Sequence, residues 1–129
     1  MGDPNDRVQT RSVEYYQDSD GIVHGRFTVE RSHLEDAIEN IEAVRELAGG
    51  VKVPVFIDMR GVLVLEKEAR DNHAGSVAAE VQSACALIIG SPVSRMIGNF
   101  FLGLNRPLCP TRLFTSPDDG MAWLRPAGA

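Results

Sequence analysis

Ala84-Cys85-Ala86-Leu87-Ile88-Ile89-Gly90-Ser91-Pro92-Val93 decides the fold. The run from Ala84 to Ile89 is apolar throughout and too short for a buried helix, so it reads as a strand. Continuous apolarity implies cover on both faces, the condition of an inner strand in a parallel sheet. Gly90 ends it. Ser91 then suits a helix N-cap and Pro92 the first helical position, so the strand hands directly to a helix. In that helix Val93, Met96, Ile97, Phe100, Phe101 and Leu104 recur as a wide apolar stripe, expected to pack on the core. Arg106-Pro107 closes it.

Working outward, Val53-Pro54-Val55-Phe56-Ile57-Asp58 is a second such strand, with Pro54 tolerable near its beginning. After Gly61, Val62-Leu63-Val64-Leu65 leads into a charged helix, Glu66-Lys67-Glu68-Ala69-Arg70-Asp71. A further helical piece with Val77, Ala78 and Val81 follows Gly75. Upstream, Ser32 and Glu35 have capping-box spacing. Leu34, Ala37, Ile38, Ile41, Val44 and Ala48 then repeat at helical intervals, and Gly49-Gly50 stops the helix. Its other face is acidic: Glu35, Asp36, Glu39, Glu42 and Glu46. Val13–Tyr16 and Ile22–Val29 flank the turn Asp18-Ser19-Asp20-Gly21 and predict a hairpin, with Val23, Phe27 and Val29 inward and His24, Arg26 and Thr28 outward. Downstream, Thr111–Phe114 is a last strand. Ser116-Pro117-Asp118-Asp119 opens a last helix carrying Met121, Trp123 and Leu124.

The order β-β-α-β-α-β-α-β-α predicts an α/β fold. An N-terminal hairpin enters alternating β/α units, giving a mixed sheet covered by four to five helices. A single domain spans 11–125, between a flexible tail over 1–10 and a short tail over 126–129. The 129 residues suit one domain. The net charge of −5 weighs against nucleic acid as partner, since a phosphate backbone selects basic surface. The first residues, Met1 to Arg7, have no apolar core and do not read as a signal peptide. No apolar stretch has the roughly 20 residues of a membrane span. The cytoplasm is the expected compartment. Cys85 reads as a buried thiol and Cys109 as part of a connector, with no disulfide demanded.

These residues resemble the STAS family of anti-sigma-factor antagonists, and in particular a bacterial STAS-like branch. Phe56-Ile57-Asp58-Met59-Arg60-Gly61-Val62 with Glu66–Arg70 carries the likeness, together with Ala86–Asn105, Phe114-Thr115 and Trp123-Leu124. The resemblance implies a regulatory, protein-binding module. In partner-switching members, a strand ending in Asp leads through a Gly turn to an Asp-Ser pair whose Ser accepts phosphate. Asp58 and Gly61 match the strand end and the turn. The pair is replaced by Glu66-Lys67, and Lys67 cannot form a phosphate ester. The expected function is therefore a non-enzymatic interaction module without the usual phosphoacceptor. Its candidate partner-binding residues are Glu66, Lys67 and Arg70, although i, i+4 pairing on a wet helix face also explains them.

A second reading is a domain that binds a small anionic or lipid-like ligand. The helix after Ser91 starts at the carboxyl end of the sheet, where open α/β sheets bind ligands. Helix N-termini favour anions. Arg60, Ser91, Ser94 and Arg95 are the candidate residues there, although Ser91 also serves as a simple cap. Gly98, Asn99 and Leu102 are candidates for a self-association face in a possible homodimer, with packing on the protein's own sheet as the alternative for the glycine. His24, His33, His73, Cys85 and Cys109 show no metal-ligand spacing. No phosphate loop, dinucleotide fingerprint or catalytic constellation is legible, so neither a cofactor nor an enzyme is expected.

Overall fold

The computed structural model describes residues 7–125. Of the tails expected over 1–10 and 126–129, residues 1–6 and 126–129 lie outside the described residues. Eight strands and five α-helices follow one another: β1 Arg7–Gln9, β2 Val13–Gln17, β3 Val23–Phe27, β4 Arg31–Ser32, α1 Leu34–Leu47, β5 Val53–Asp58, β6 Val64–Leu65, α2 Lys67–Ala74, α3 Ser76–Val81, β7 Gln82–Ile88, α4 Pro92–Phe100, a π-helical segment Phe101–Asn105, β8 Thr111–Phe114 and α5 Pro117–Leu124.

Six strands make the main sheet, in the order β1-β2-β3-β5-β7-β8. The β1-β2 and β2-β3 pairs are antiparallel, and β3, β5, β7 and β8 run parallel. The expected α/β class, mixed sheet and N-terminal hairpin are all present. The all-apolar run falls in β7, which is flanked by strands on both sides, and its two faces are covered by different helices. Cys85 and Leu87 join the larger core with α1, α2, α3 and α4. Ala86 joins a smaller cluster under α5 with Ile22 and Leu124, bordered by Phe56, Phe114 and Trp123. Alternation along β5 makes the same division, with Val53, Val55 and Ile57 buried in the larger core.

Three expectations need correction. Arg7–Gln9 is not a loose tail but an edge strand, and Thr10 is buried with its hydroxyl 2.6 Å from Asn40 Oδ1. The pair Val64–Leu65 does not simply lead into a helix. It forms a parallel two-residue ladder with Arg31–Ser32, beside the main sheet. The N-cap of α1 is His33 rather than Ser32, and Asp36 accepts the His33 backbone N–H at 2.8 Å. Ser32 is taken up by β4, which shifts the cap one residue on. Within α1 the buried face includes Asp36 and Asn40, and Ile38 points to solvent.

Close approach explains one glycine in the sheet. A Cβ on Gly25 would stand 2.6 Å from the Tyr15 ring and 2.8 Å from Ile57, so the missing side chain is what lets Tyr15 lie across β3.

Candidate functional site

The parallel register sets Asp58 of β5 opposite Ile88 of β7, so both strands end at one edge of the sheet. The Met59 N–H donates to the Ile88 carbonyl at 3.1 Å and holds the two exits together. Arg60 therefore emerges beside Gly90. A Cβ there would sit 2.9 Å from Arg60 Cδ, so the arginine stem lies on the glycine. The Arg60 guanidinium folds back onto Asp58, with Nε 3.0 Å from Oδ1 and Nη2 2.8 Å from Oδ2. Burial pushes the Asp58 carboxyl up, but the hydrogen bonds and charge of Arg60 pull harder, and it lies below the usual carboxylate range.

Ser91 and Ser94 are likewise committed. Ser94 is fully buried, and its Oγ accepts the N–H groups of Gly90 and Ser91, each at 3.0 Å. Ser91 Oγ accepts the Ser94 N–H at 3.0 Å, and the Ser91 carbonyl accepts the Arg95 N–H at 3.0 Å. This reciprocal cap occupies the N–H groups of Gly90, Ser91, Ser94 and Arg95. Pro92 has no N–H to offer. Arg95 is exposed, and its guanidinium makes no hydrogen bond or ion pair with the described residues. It borders a shallow open groove with Gly90, Pro92, Met96, Asn99 and Phe100. The four anion-site candidates thus meet at one sheet end, and only Arg95 keeps a free charge.

The partner-site candidates on α2 divide in the same way. Glu66 occupies the N-cap position of α2, and its carboxylate stands 2.9 Å from His33 Nδ1 and 3.3 Å from Arg31 Nη1. The His33 hydrogen bond, helped by Arg31, holds its carboxyl below the ordinary range. Arg70 donates to the Leu65 carbonyl at 2.7 Å and to Asn105 Oδ1 at 3.2 Å, and Asn105 donates to Asp71 at 2.6 Å. Glu66 and Arg70 are therefore ties from α2 to β4 and to the π segment. Lys67 alone stands well out in solvent, paired with Asp71 at 2.8 Å.

The self-association candidates also separate. Gly98 faces the protein's own sheet: a Cβ there would be 2.9 Å from a Leu113 methyl. Asn99 is exposed and Leu102 half-buried. With Ser94 and Gly98 both buried, α4 lies rotated toward its small residues, and the wide apolar stripe overhangs the edge. Ile97 and Phe101 are buried in the core. Met96, Phe100 and Leu104 were expected to pack there too, but they are 51%, 45% and 73% exposed. The π segment adds to this, because its wider turn carries Leu104 outward. The Arg106 N–H reaches back to the Phe101 carbonyl at 3.1 Å, closing that turn.

A family model described as a domain of unknown function, DUF7793, matches residues 15–127. The chain belongs to the DUF7793 family. No curated protein matches its sequence. Among solved structures it is similar to an uncharacterized protein from the DUF3478 family with a SpoIIAA-like fold, from Shewanella loihica PV-4. The identity is 16%, the TM-score 0.55, and the match covers 96% of this chain and 98% of that one. That likeness bears out the STAS-like fold and speaks to the fold alone.

Beneath α2, α4 and the π segment lies an internal cavity of about 50 Å³, walled by residues that include Ile57, Leu87, Ile97 and Phe101. His73, Gln82, Cys109 and Thr111 add polar edges. Cys109 Sγ lies 3.7 Å from Gln82 Oε1 and 3.6 Å from Thr111 Oγ1, so those three satisfy one another. His73 Nε2 is sealed from solvent with no partner among the described residues. Burial lowers the His73 imidazole to about 4, leaving it neutral at pH 7. His73 has no metal-ligand spacing in the sequence, and nothing in Asp71-Asn72-His73-Ala74 signals a ring nitrogen turned inward. Among the described residues no group of three or more His, Cys, Asp or Glu side chains is arranged to hold a metal ion. No helix there is long and apolar enough to cross a membrane.

Proposed function

We propose that this protein is a non-enzymatic regulatory module that works by protein contact, through the outer face of α4 and its π extension. The observation that carries this is an apolar helix with two apolar faces. Its inner face is already buried by Ile97 and Phe101, and Met96, Phe100 and Leu104 still present large apolar side chains to solvent. A contiguous apolar surface of this kind marks a contact site. Between residues 90 and 106 the only charges are Arg95 and Arg106, in a chain of net charge −5. The face thus favours a protein partner with apolar and acidic side chains together.

The STAS-like fold is compatible with such a role. On the STAS resemblance, Lys67 replaces the phosphoacceptor Ser of partner-switching members, and a lysine forms no phosphate ester, which favours a module that is not switched in that way. The consumed donors around Ser91 and the Arg60–Asp58 pair favour this reading over an anion site at the same sheet end.

Affinity capture from cells of the source organism tests it, comparing wild type with a Met96→Glu/Phe100→Glu variant. The expected result is a reproducible partner, heterologous or a second copy, captured by the wild type and lost in the variant. An identical set of captured proteins in both sinks the proposal. Thermal melts of the two must agree within a few degrees, so that a loss of capture reports the surface and not the fold.

A further inference from the structure

We infer that the cavity under α2, α4 and the π segment is the closed form of a binding site for a small uncharged molecule, with an apolar body and one hydrogen-bonding head held by His73. Two independent features support it besides the void. One is the buried, unpartnered His73 Nε2 at its edge. A buried polar atom without a partner costs folding free energy, so native proteins rarely leave one empty. The other is the wall. Phe101 lines the cavity and opens the π segment, and π segments inside helices are frequent at functional sites.

That wall also carries a strained exit. Arg106 adopts φ 51°, a left-handed conformation that is uncommon for a residue other than glycine. Gly103 in the same segment has open space where a side chain would be. The segment is thus held at its ends, by Arg70 on Asn105 and by the Phe101 core contact, with little packed on its middle. The closed cavity of about 50 Å³ admits water but not a ring. An apolar cavity of roughly 150 Å³ takes up benzene, so a ring-sized ligand requires the π segment to move outward.

The chemistry of the ligand follows from the lining. Ile57, Leu87, Ile97 and Phe101 exclude a charged body, whose desolvation nothing in the cavity would offset. A neutral imidazole offers either one acceptor or one donor at Nε2, so the head is a hydroxyl or a similar neutral group.

Phenol and toluene are suitable probes, titrated into the full chain while the His73 ring nitrogens and the backbone amides are followed by NMR. Phenol is expected to shift the His73 Nε2 resonance saturably, together with the amides of Phe101–Asn105. It should bind about tenfold tighter than toluene, the worth of one buried hydrogen bond. In His73→Phe that preference should disappear while toluene still binds, which separates loss of the head contact from loss of the fold. Saturable binding that leaves His73 and the π segment unmoved would overturn the assignment. So would the absence of binding by either probe at millimolar concentration, which would leave ordered water as the only occupant.

Discussion

Arg60 lies in a two-point grip on Asp58, two residues before it, with contacts of 3.0 and 2.8 Å at the exit of β5. This pair closes the sheet end that the sequence offered as an anion site. It also opposes burial: Asp58 is pushed up by desolvation and pulled below its ordinary value by Arg60. In Arg60→Ala the side-chain hydrogen bond and charge are lost, while burial, the backbone N–H of residue 60 and the charge of Arg26 remain, so the Asp58 carboxyl should titrate higher than in the wild type. Carboxyl-detected NMR titration of both proteins checks the direction. Because the native carboxyl is depressed, its contribution to stability is present above the unfolded value and is lost as pH falls through the folded one. The exposed partner keeps that contribution within about 1 kcal/mol.

Gly98 and Gly103 predict opposite outcomes from one substitution. A methyl on Gly98 would press on Leu113, so Gly98→Ala should destabilise by about 1–3 kcal/mol, the range of core overpacking. Gly103 has open space, and Gly103→Ala should be neutral or stabilising by up to about 1 kcal/mol. Urea unfolding of the two variants gives both signs.

Asp36 caps α1 through the His33 N–H and takes both nitrogens of an Arg11 fork, each at 2.6 Å. The Arg11 hydrogen bond holds its carboxyl below the usual range. Asp36→Ala should cost about 1–2 kcal/mol, the worth of a helix cap, with further loss as the Thr10–Val13 turn detaches from α1. Thermal unfolding measures the sum. Amide exchange at Ser12 and Val13 shows whether the turn has come loose.

His73 predicts an acid-side loss of stability. Its folded value near 4 lies below the unfolded 6.5, so the unfolded chain binds the proton first. Stability is full above pH 6.5 and declines as pH falls toward 4, by about 3 kcal/mol at most on the scale of 1.36 kcal/mol per unit. In His73→Phe that part of the slope should vanish. Unfolding free energies measured from pH 7 to pH 4 test this, and a slope that survives the substitution counts against it.

The architecture was legible wherever one strand or helix carried its own pattern. Val53–Asp58 and Thr111–Phe114 have the predicted bounds, because alternation and continuous apolarity are local signals. The short strands were not legible. Arg31–Ser32 and Val64–Leu65 are two-residue ladders whose pairing depends on a distant backbone, not on their own side chains. The site was harder still. Counting apolar residues in α4 identified the stripe but not its direction, which is set by Ser94 and Gly98 letting the helix settle closer on that side. The sealing of His73 Nε2 arises from elements that meet only in the fold.

The outer face of α4 is the centre of the functional proposal, and in-cell photo-crosslinking tests it most directly. A photoreactive phenylalanine analogue would replace Phe100, with the same analogue at Glu42 on the exposed face of α1 as control. The prediction is a discrete higher-mass adduct from position 100, either a second copy at twice 14.1 kDa or one heterologous protein, and none from position 42. A position-100 protein that stays at its own mass, or adducts indistinguishable from those at 42, would contradict it.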